Sequence, residues 1–353
     1  MKLLSGSDAD IRRAAGAIRA GCLVVFPTET VYGLGADTFN PRALAKVFEV
    51  KQRPLFDPLI VHIAGLDALD RIADLALLTR EGRERLDLLA ASLWPGPLTL
   101  VLPKKSAVPE LATGGLKTVA VRFPDHPLAQ KLISASTGAL AAPSANPFGY
   151  LSPTRTEHVL DQLGDKVDYI IDGGKLRVGV ESTVLDLSSP LPRILRPGGV
   201  SQDDIEKIIG TVEGPETRTN VIAPNEADPN TADKSPLSPG QLKSHYAPRT
   251  TLFVYAPDKM QNLAYNSRAA YLFFDGPSRD RWLGHSGPKN LSPEALPNIR
   301  ALSESGDIQT AAANLFALLH ELDDSGYEAI HAETAPPSGL GPAINDRLFR
   351  AGA

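Results

Sequence analysis

Short apolar runs alternate with amphipathic segments through the first part of the chain. Runs rich in Val, Ile and Leu predict buried strands, and apolar residues three or four apart predict helices. The predicted strands are Cys22–Phe26, Leu59–Ile63, Leu98–Leu102, Thr118–Phe123, the runs ending before Pro143, Asp172 and Pro197, and the run that follows Glu181. The predicted helices are Asp8–Ala20, Pro41–Val50, Thr79–Ser92, Pro127–Ser136 and Thr156–Leu163. Because several strands follow one another without a long helix between them, we expect a twisted, mixed α/β sheet.

The pattern changes after Ile209, where Pro, Gly, Asn and Thr dominate and apolar periodicity is lost. Such a composition is typical of a linker. A second α/β pattern follows, with strands predicted at Thr251–Tyr255, Ala269–Phe274 and Tyr327–Glu333 and a helix at Ile308–Leu322. This spacing favours a small Rossmann-like domain. We therefore predict a first domain at residues 1–210, a linker at 211–250 and a C-terminal domain at 251–353.

Composition excludes several classes of protein. The 353 residues carry a formal net charge of −5, which argues against a surface built to coat nucleic acid. Cys22 is the only cysteine, so neither an intramolecular disulfide nor a cysteine-rich zinc site is possible. No run approaches the roughly 20 apolar residues of a membrane span. We expect a cytoplasmic protein.

Polar clusters follow several of the predicted strands. FPTETVYGLGAD, which we expect to be a loop leaving the first strand, supplies hydroxyls, a carboxylate and two glycines. APSANPFGYLSPT supplies small groups that could cradle an anion. Arg122, Ser182 and Arg196 stand at other strand ends. Each cluster taken alone is explained as well by a turn, a helix cap or an ordinary surface residue. Their concentration in one domain favours a common site.

The stretch KQRPLFDPLIVHI, at residues 51–63, places two cations before an apolar run. Pro54 disfavours helical geometry at Arg53, so we expect an extended segment in which Lys51 and Arg53 face the same side. An arginine fork beside a lysine suits phosphate. The alternative is a solvated helix end, where cations interact favourably with the helix dipole. Alone, the stretch favours that alternative.

Standard nucleotide signatures are missing, since no P-loop motif occurs and GLGADT does not complete G-x-G-x-x-G. At the end of the linker, SPGQLKSHYAP places a Tyr beside a His between prolines. This segment resembles one that docks, because an aromatic ring could cover a base or close a pocket.

Taken together, FPTETVYGLG, K-x-R-P with D-P-L, SANPFGYLSPT, ESTV with LRPG, and the SPG…HYAP linker resemble the Sua5 branch of the YrdC/Sua5 threonylcarbamoyl-AMP synthases. The likeness extends to GLGPAINDRLFRAGA at the C-terminus. It implies a YrdC-like catalytic domain around a concave cationic cavity, a linker that reaches back over the active site and a small Sua5 domain.

The resemblance also implies site residues. The positions expected around threonine are Thr30, His62, Arg122, Ala142 and Ser182. The positions expected around ATP are Arg53, Asp57, Thr118, Ser144, Ser152, Arg196 and Tyr246. The group expected at the catalytic floor of the cavity is Lys51, Arg53, Ser144 and Asn146. Asp57 departs from the family pattern, which commonly has Asn there.

The implied reaction joins L-threonine, bicarbonate or CO2, and ATP into L-threonylcarbamoyladenylate and pyrophosphate. Mg²⁺ is expected with ATP, and no protein ligand is assigned to it. The implied partners are a system that transfers the threonylcarbamoyl group to adenosine 37 of tRNAs reading ANN codons, and transiently tRNA itself. The oligomeric state stays open.

Two rival functions stay open at this point. One is a carbamoyl transferase that uses a YrdC-like domain on carbamoyl phosphate, although the single cysteine argues against a version with zinc fingers. The other is a non-enzymatic protein that binds double-stranded RNA or tRNA in the cationic cavity.

Overall fold

The computed structural model describes residues 1–215, 238, 240, 245–288 and 296–353. Among these, one compact unit takes residues 1–148, 152–215, 238 and 240, and a second takes 149–151, 245–288 and 296–353. The short segment 149–151 groups with the second unit, which the sequence did not indicate. Most of the predicted linker, at residues 216–237, 239 and 241–244, lies outside the described residues.

The first unit contains one extended mixed sheet, as predicted. Its strands are β1 (Lys2–Leu4), β2 (Val24–Phe26), β3 (Gly33–Asp37), β4 (Ile60–Ile63), β5 (Leu98–Pro103), β6 (Thr118–Arg122), β7 (Ala139–Ala141), β8 (Tyr169–Ile171), β9 (Thr183–Asp186) and β10 (Arg193–Arg196). In the described part of the chain their order across the sheet is β1-β8-β2-β3-β7-β4-β6-β5-β9-β10. Strand β4 is parallel to β6 and antiparallel to β7, while β5 is antiparallel to β6 and parallel to β9.

Helices of the first unit begin where the sequence supplies caps. They are α1 (Asp8–Arg19), α2 (Pro41–Lys51), α3 (Arg80–Leu93), α4 (Glu110–Thr113), α5 (Pro127–Ala135), α6 (Thr156–Leu163) and α7 (Gln202–Ile209). Ser7, Asn40 and Thr79 each accept a backbone N–H with their side-chain oxygen at a helix start. Proline at the first position of α2 and α5 fits the fixed backbone angle of a helix start.

The sheet is buried on both faces. Neighbouring residues of a strand point to opposite sides, and both sets of side chains lie in buried clusters. Val25 belongs to the larger core cluster with Leu44 and Leu89, whereas Val24 belongs to a separate cluster with Ile133. Helices α2 and α3 thus cover one face, and α1 and α5 cover the other. Continuous apolar strands such as LTLVL follow from this double burial.

Strand β3 corrects the interpretation of GLGAD as part of a loop. The segment pairs with β2 and β7 even though glycine is a poor strand former. Its glycines are required by close packing, since a Cβ on Gly35 would lie 2.7 Å from Cε1 of Phe26. The absence of side chains, which suggested a loop, instead lets the Phe26 ring lie against the strand.

Helix α2 ends differently from the prediction. Lys51 is its last residue, and Gln52 takes a left-handed conformation with φ of 54°. The extended segment expected from Lys51 to Arg53 was therefore wrong, because Lys51 is helical and Gln52 is left-handed. The solvated helix end is wrong as well, because Lys51 is 2% and Arg53 7% exposed.

The second unit is a small parallel α/β domain, which confirms the Rossmann-like expectation. Its strands are β11 (Thr251–Tyr255), β12 (Ala269–Asp275), β13 (Ile299–Ser303) and β14 (Ala329–Glu333), in the order β11-β14-β12-β13 within the described residues. Its helices are α8 (Pro257–Met260), α9 (Gly276–His285), α10 (Ile308–Asp324) and α11 (Gly341–Ala351). Strand β13 escaped prediction because Arg300 interrupts its apolar pattern. No helix in the described parts of the chain is long and apolar enough to cross a membrane.

Candidate active site

Three adjacent strands of the first unit place polar residues side by side. His62 on β4 pairs with Arg122 on β6, and Arg122 in turn pairs with Thr99 on β5. Ser182 precedes β9, whose neighbour is β5, and its Oγ lies 2.7 Å from Thr99 Oγ1. All four residues are at most 3% exposed. The sheet order thus gathers His62, Arg122 and Ser182, which the sequence assigned to threonine.

Arg122 is held in a fixed orientation by its neighbours. Its Nη1 donates to Thr30 Oγ1 at 2.8 Å, and its Nε donates to the Gly96 carbonyl at 3.3 Å. Its Nη2 lies 2.7 Å from Glu29 Oε1, and both side chains are buried. Thr28 supports the loop, since its hydroxyl donates to the Val31 carbonyl at 2.7 Å and lies 2.9 Å from Thr30 Oγ1. Such a preoriented guanidinium is suited to a carboxylate ligand.

His62 is neutral at physiological pH. Burial, together with the positive charge of Arg122, lowers its pKa to about 3. Its Nδ1 lies 3.1 Å from the Ile60 carbonyl, and its ring meets Phe26 edge-on at 6.0 Å. The imidazole therefore adds no positive charge to the group around Arg122.

A second polar group is formed by Lys51 and the loop at residues 144–146, called the SAN loop below. Lys51 Nζ donates to the Ser144 carbonyl at 2.6 Å and also to the Asn146 carbonyl. The loop itself is fixed on β3, because Leu34 N donates to Pro143 O and Ala145 N donates to Tyr32 O, each at 2.8 Å. Burial and the nearby Arg53 charge lower the pKa of Lys51 well below its ordinary value. The structure thus brings Lys51, Ser144 and Asn146 together as predicted.

Arg53 forms a buried ion pair with Asp57. The Arg53 Nη2 lies 2.9 Å from Asp57 Oδ2, and the guanidinium also donates to the carbonyls of Asp57 at 3.1 Å and Pro58 at 2.8 Å. The Cζ atom of Arg53 lies 5.9 Å from the centre of the Phe148 ring. Burial raises the pKa of Asp57, opposed by the charges of Arg53, Lys51 and Arg196. Lys51, Arg53 and Arg196 are therefore all close enough to act electrostatically on the Asp57 carboxylate.

Arg196 fixes the segment that contains Ser182. Its Nη2 donates to the Ser182 carbonyl at 2.9 Å and to Ser182 Oγ at 3.3 Å. The glycines that follow allow the same close approach, since a Cβ on Gly198 would lie 2.3 Å from Ser182 C and Thr183 N. Ser182 thus connects the group around Arg122, through Thr99, with Arg196.

Three further predicted residues lie outside the two groups around Arg122 and Lys51. Ser152 is buried and donates to Glu181 Oε1, next to Ser182. Ala142 N donates to the Ile60 carbonyl at 2.9 Å, which places its backbone beside β4, and the residue is buried in the cluster that contains Phe26. Thr118 begins β6 and therefore stands at the opposite end of that strand from Arg122. Its role as an ATP contact stays a prediction.

Tyr246 belongs to the second unit. It has φ of 63°, it is 1% exposed, and its ring contacts Phe316 at 5.6 Å and the Arg347 guanidinium at 5.2 Å. His245 N donates to the Arg350 carbonyl at 3.1 Å. The HYAP segment is thus anchored by helices α10 and α11. Its assignment to ATP also stays a prediction.

Sequence reasoning noted the carboxylate of Glu29 in FPTETVYGLGAD but assigned no ligand to it, and it gave no individual role to Thr99 or Glu181. Thr99 was detectable as the single polar residue in the apolar strand LTLVL, whose neighbours are buried. Glu29 and Glu181 contact residues of the site that are distant in sequence, which no periodicity reveals. A cleft of about 410 Å³ also opens beside Glu29, lined further by Asp125, His126, Pro127, Lys175, Leu176 and Arg177. Among the residues the structure describes, no cluster of three or more His, Cys, Asp or Glu side chains is arranged to hold a metal.

The fold and this site define an α/β protein with buried cations and hydroxyls at its strand ends. A family model described as "Telomere recombination", for Sua5, YciO and YrdC proteins, matches residues 16–198, and one described as "Threonylcarbamoyl-AMP synthase, C-terminal domain" matches 200–353. The chain therefore belongs to the Sua5 branch of the threonylcarbamoyl-AMP synthase family.

Individual relatives agree with this placement. The threonylcarbamoyl-AMP synthase of Pyrococcus abyssi is 41% identical over 97% of this chain and 93% of its own length. That of Bacillus subtilis is 38% identical over 99% of this chain and 94% of its own length. The crystal structure of P. abyssi Sua5 complexed with L-threonine matches with a TM-score of 0.83 at 37% identity, covering 100% of this chain and 98% of that one.

The contact between Gly198 and Ser182 predicts a sensitive position. Gly198→Ala should lower the free energy of unfolding by about 1–3 kcal/mol, because the new methyl group must displace the backbone of Ser182 and Thr183. Gly16→Ala is the control, since its Cβ would meet nothing closer than 4.0 Å and alanine is favoured within helix α1. Urea unfolding measures both. Equal stability of Gly198→Ala and the parent protein would contradict the packing argument.

The depressed pKa of His62 predicts a pH dependence of stability. Between the ordinary pKa of 6.5 and the native value of about 3, the unfolded chain binds a proton at His62 and the native protein does not. Acidification through this window should therefore cost about 1.4 kcal/mol per pH unit at this residue. In His62→Asn, urea unfolding at several pH values should show a shallower loss of stability. An unchanged slope would show that His62 does not titrate in this way.

Proposed function

We propose that this protein is a nucleotidyltransferase that makes L-threonylcarbamoyl-AMP from L-threonine, bicarbonate or CO2, and ATP, releasing pyrophosphate. The observation that supports it most directly is the pairing of two cationic groups through Ser182, one around Arg122 and one around Lys51, Arg53 and Arg196. The carboxylate of an amino acid and the phosphates of a nucleotide are anionic groups that two such cationic groups suit. The names of the relatives and the threonine complex of P. abyssi Sua5 support the same reaction.

The threonine site is proposed around Arg122. Its guanidinium is oriented by Thr30 and Gly96, which leaves further N–H groups for the α-carboxylate. Ser182 Oγ and neutral His62 supply hydrogen-bonding groups for the rest of the amino acid. Ala142, whose backbone is bonded to Ile60 at the start of β4, is proposed as a further position on the threonine side.

The ATP site is proposed around the second group of cations. The amine of threonine attacks CO2 to form a carbamate, whose oxygen then attacks the α-phosphorus while the bond to pyrophosphate breaks. Because the attacking carbamate and the triphosphate are both anions, positive charge is needed where they meet. Lys51, Arg53 and Arg196 would offset this charge in a site sheltered from water, where electrostatic interactions are strong. Ser144, Asn146, Ser152, Thr118 and Asp57 are proposed as further positions on the ATP side.

Mg²⁺ enters this proposal as part of the substrate, bound to the phosphates of ATP. It would neutralise phosphate charge, and Mg²⁺ commonly retains water and phosphate oxygens as most of its ligands. Asp57 is already 2.9 Å from Arg53, which suits a role in holding the guanidinium better than a role as a free metal ligand.

Several broader expectations belong to the same proposal. Residues 1–210 would form the catalytic domain, 211–250 the linker that covers the active site with Tyr246 at its end, and 251–353 the Sua5 domain. A covering linker would protect the carbamate, which is unstable in water. The product would be used by a transfer system that modifies adenosine 37 of tRNA, which is consistent with a cytoplasmic location and with transient contact with tRNA.

One experiment separates this function from its rivals. Pyrophosphate release is measured with ATP and Mg²⁺ while threonine and bicarbonate are omitted in turn. The proposal expects release to depend on both. Activity with carbamoyl phosphate in their place would favour a carbamoyl transferase, and salt-sensitive RNA binding without ATP turnover would favour a binding protein.

The cations predict a loss of activity on substitution. Lys51→Ala and Arg53→Ala should each reduce threonine-dependent pyrophosphate release by at least about 100-fold, because each removes a buried charge-assisted contact. Lys46→Ala and Arg42→Ala, at exposed positions of the same helix α2, serve as controls and should retain activity. Circular dichroism and urea unfolding check that the variants fold. Near-normal turnover in a folded Lys51 or Arg53 variant would contradict the assignment.

The depressed pKa of Lys51 predicts proton uptake on ATP binding. Phosphate oxygens near Nζ favour its charged form, so binding should raise the pKa that burial has lowered. Calorimetric titration at several pH values from about 8 to 10, where ATP is fully ionised, should include a pH at which the binding heat depends on the ionisation enthalpy of the buffer. The Lys51→Met variant keeps an apolar side chain of similar length but has no amine, so it should take up fewer protons when ATP binds. Buffer-independent heats in the parent protein would rule out this coupling.

A further inference from the structure

Glu29 is a buried carboxylate that lacks hydrogen-bond donors. It is 2% exposed, and among the described residues neither of its oxygens accepts a hydrogen bond. Arg122 Nη2 approaches Oε1 to 2.7 Å, but its N–H bonds are not aimed at that oxygen. The Glu29 backbone is nevertheless fixed, since its carbonyl accepts from Val178 N at 2.8 Å. A buried carboxylate in this state is costly unless a ligand supplies the donors.

The neighbours of Glu29 indicate which ligand would supply them. The Arg122 guanidinium can donate hydrogen bonds to a ligand carboxylate, and its Nη1 already donates to Thr30 Oγ1 at 2.8 Å. A carboxylate and a guanidinium side by side are complementary to the ammonium and carboxylate of one α-amino acid. His126 is the other titratable neighbour whose charge is coupled to Glu29, but burial lowers its pKa and its Nδ1 accepts from Leu128 N at 3.3 Å as the cap of α5.

Asp57 is a second buried carboxylate whose oxygens accept no hydrogen bond among the described residues, and it differs from Glu29 in its electrostatic surroundings. The charges of Arg53, Lys51 and Arg196 all act on it, on the side of the site proposed for ATP. In the part of the chain that the structure describes, Glu29 has one cation within salt-bridge distance, Arg122, and it lies on the side proposed for threonine. The two acids therefore face different substrates.

We propose that Glu29 is a binding residue for the α-ammonium group of threonine. Arg122 binds the α-carboxylate and Glu29 accepts hydrogen bonds from the ammonium, so that the pair recognises the amino acid as a zwitterion. This inference rests on the proposed function, because it concerns the orientation of the same substrate. It explains why an acid is buried in a site that must attract anions: it turns the nitrogen of threonine toward a defined position before the carbamate forms.

The test compares threonine with 3-hydroxybutanoate, which retains the carboxylate and hydroxyl groups but has hydrogens in place of the ammonium. Affinities for the full-length chain are measured by calorimetry or by competition, without ATP. Glu29→Gln has nearly the same shape but no charge. It should bind threonine about 10- to 100-fold more weakly than the parent protein, while its affinity for 3-hydroxybutanoate stays within a few-fold. The preference for threonine should therefore shrink by a similar factor.

Asp125→Asn is the matched control. Asp125 lines the same cleft as Glu29 but is half-exposed and paired with Arg177 at 2.7 Å, so its neutralisation should leave both affinities unchanged. If Glu29 only orients Arg122, Glu29→Gln would weaken both ligands equally and the ratio would not change, which overturns the proposal. If Glu29→Gln does not fold, Glu29→Asp keeps the charge but shortens its reach and should lower the same ratio. An unchanged ratio there would also overturn the proposal.

Pyrophosphate release by the parent protein, measured in parallel, distinguishes the two possible failures. Threonine-dependent turnover with an unchanged ligand ratio in the Glu29 variants would refute the role of Glu29 alone. Zwitterion-selective binding without any threonine-dependent turnover would refute the proposed reaction and leave Glu29 as an amino-acid binding residue. A parent protein that does not bind threonine would refute both.

Discussion

The structure of the first unit depends on how it stabilises positive charges that it removes from water. Lys51, Arg53, Arg122 and Arg196 are all at most 7% exposed. An isolated buried charge is strongly unfavourable, so each needs polar neighbours that a small apolar core does not offer. Lys51 has carbonyls of the SAN loop, Arg53 has Asp57 and two carbonyls, Arg122 has Glu29 and Thr30, and Arg196 has Ser182. The strand ends are shaped around these contacts.

This requirement accounts for features that would otherwise be weak choices for stability. The backbone carbonyls that surround Lys51 and Arg196 come from irregular segments, whose C=O groups are not used by a strand. Strand β3 contains glycine where a branched residue would favour a strand, and it supports the SAN loop that contacts Lys51. Gly198 allows the segment after Arg196 to pack directly on Ser182. Local propensity therefore yields to the geometry needed around charged groups.

The parts of the fold that follow from short-range pattern were predictable. Helices with capping residues, such as α2 after Asn40, and strands with continuous apolar runs, such as β5, are encoded within a few neighbouring residues. Strand β3 was not predictable in this way, because its glycines are explained only by Phe26 on the neighbouring strand. The turn at Gln52 was missed for a related reason: the rule for the residue before proline concerns Arg53 and does not specify Gln52.

The candidate site was predictable in its residue types more than in its pairings. Lys51 and Asn146 are 95 positions apart, and Arg122 and Thr30 are 92 apart. Only the strand order brings them together, and periodicity contains no information about that order. The family motifs supplied most of these positions, but they gave no reason for the acids. That reason appears only when burial and partners are known, because an acid in a motif and an acid facing a buried guanidinium are indistinguishable in the sequence.

The two buried acids also bear on why such a site is retained. Replacing a buried ion pair by apolar residues of similar volume is often neutral or stabilising, so Glu29 and Asp57 are weak contributors to stability by themselves. Without them, however, Arg53 and Arg122 would be uncompensated before substrate arrives, and the chain would either unfold locally or take up a competing anion. With them, the site stays folded and nearly neutral when empty. A substrate must then replace ion-pair contacts that are already present with stronger ones. This requirement favours ligands whose charges match the spacing of the site over anions in general.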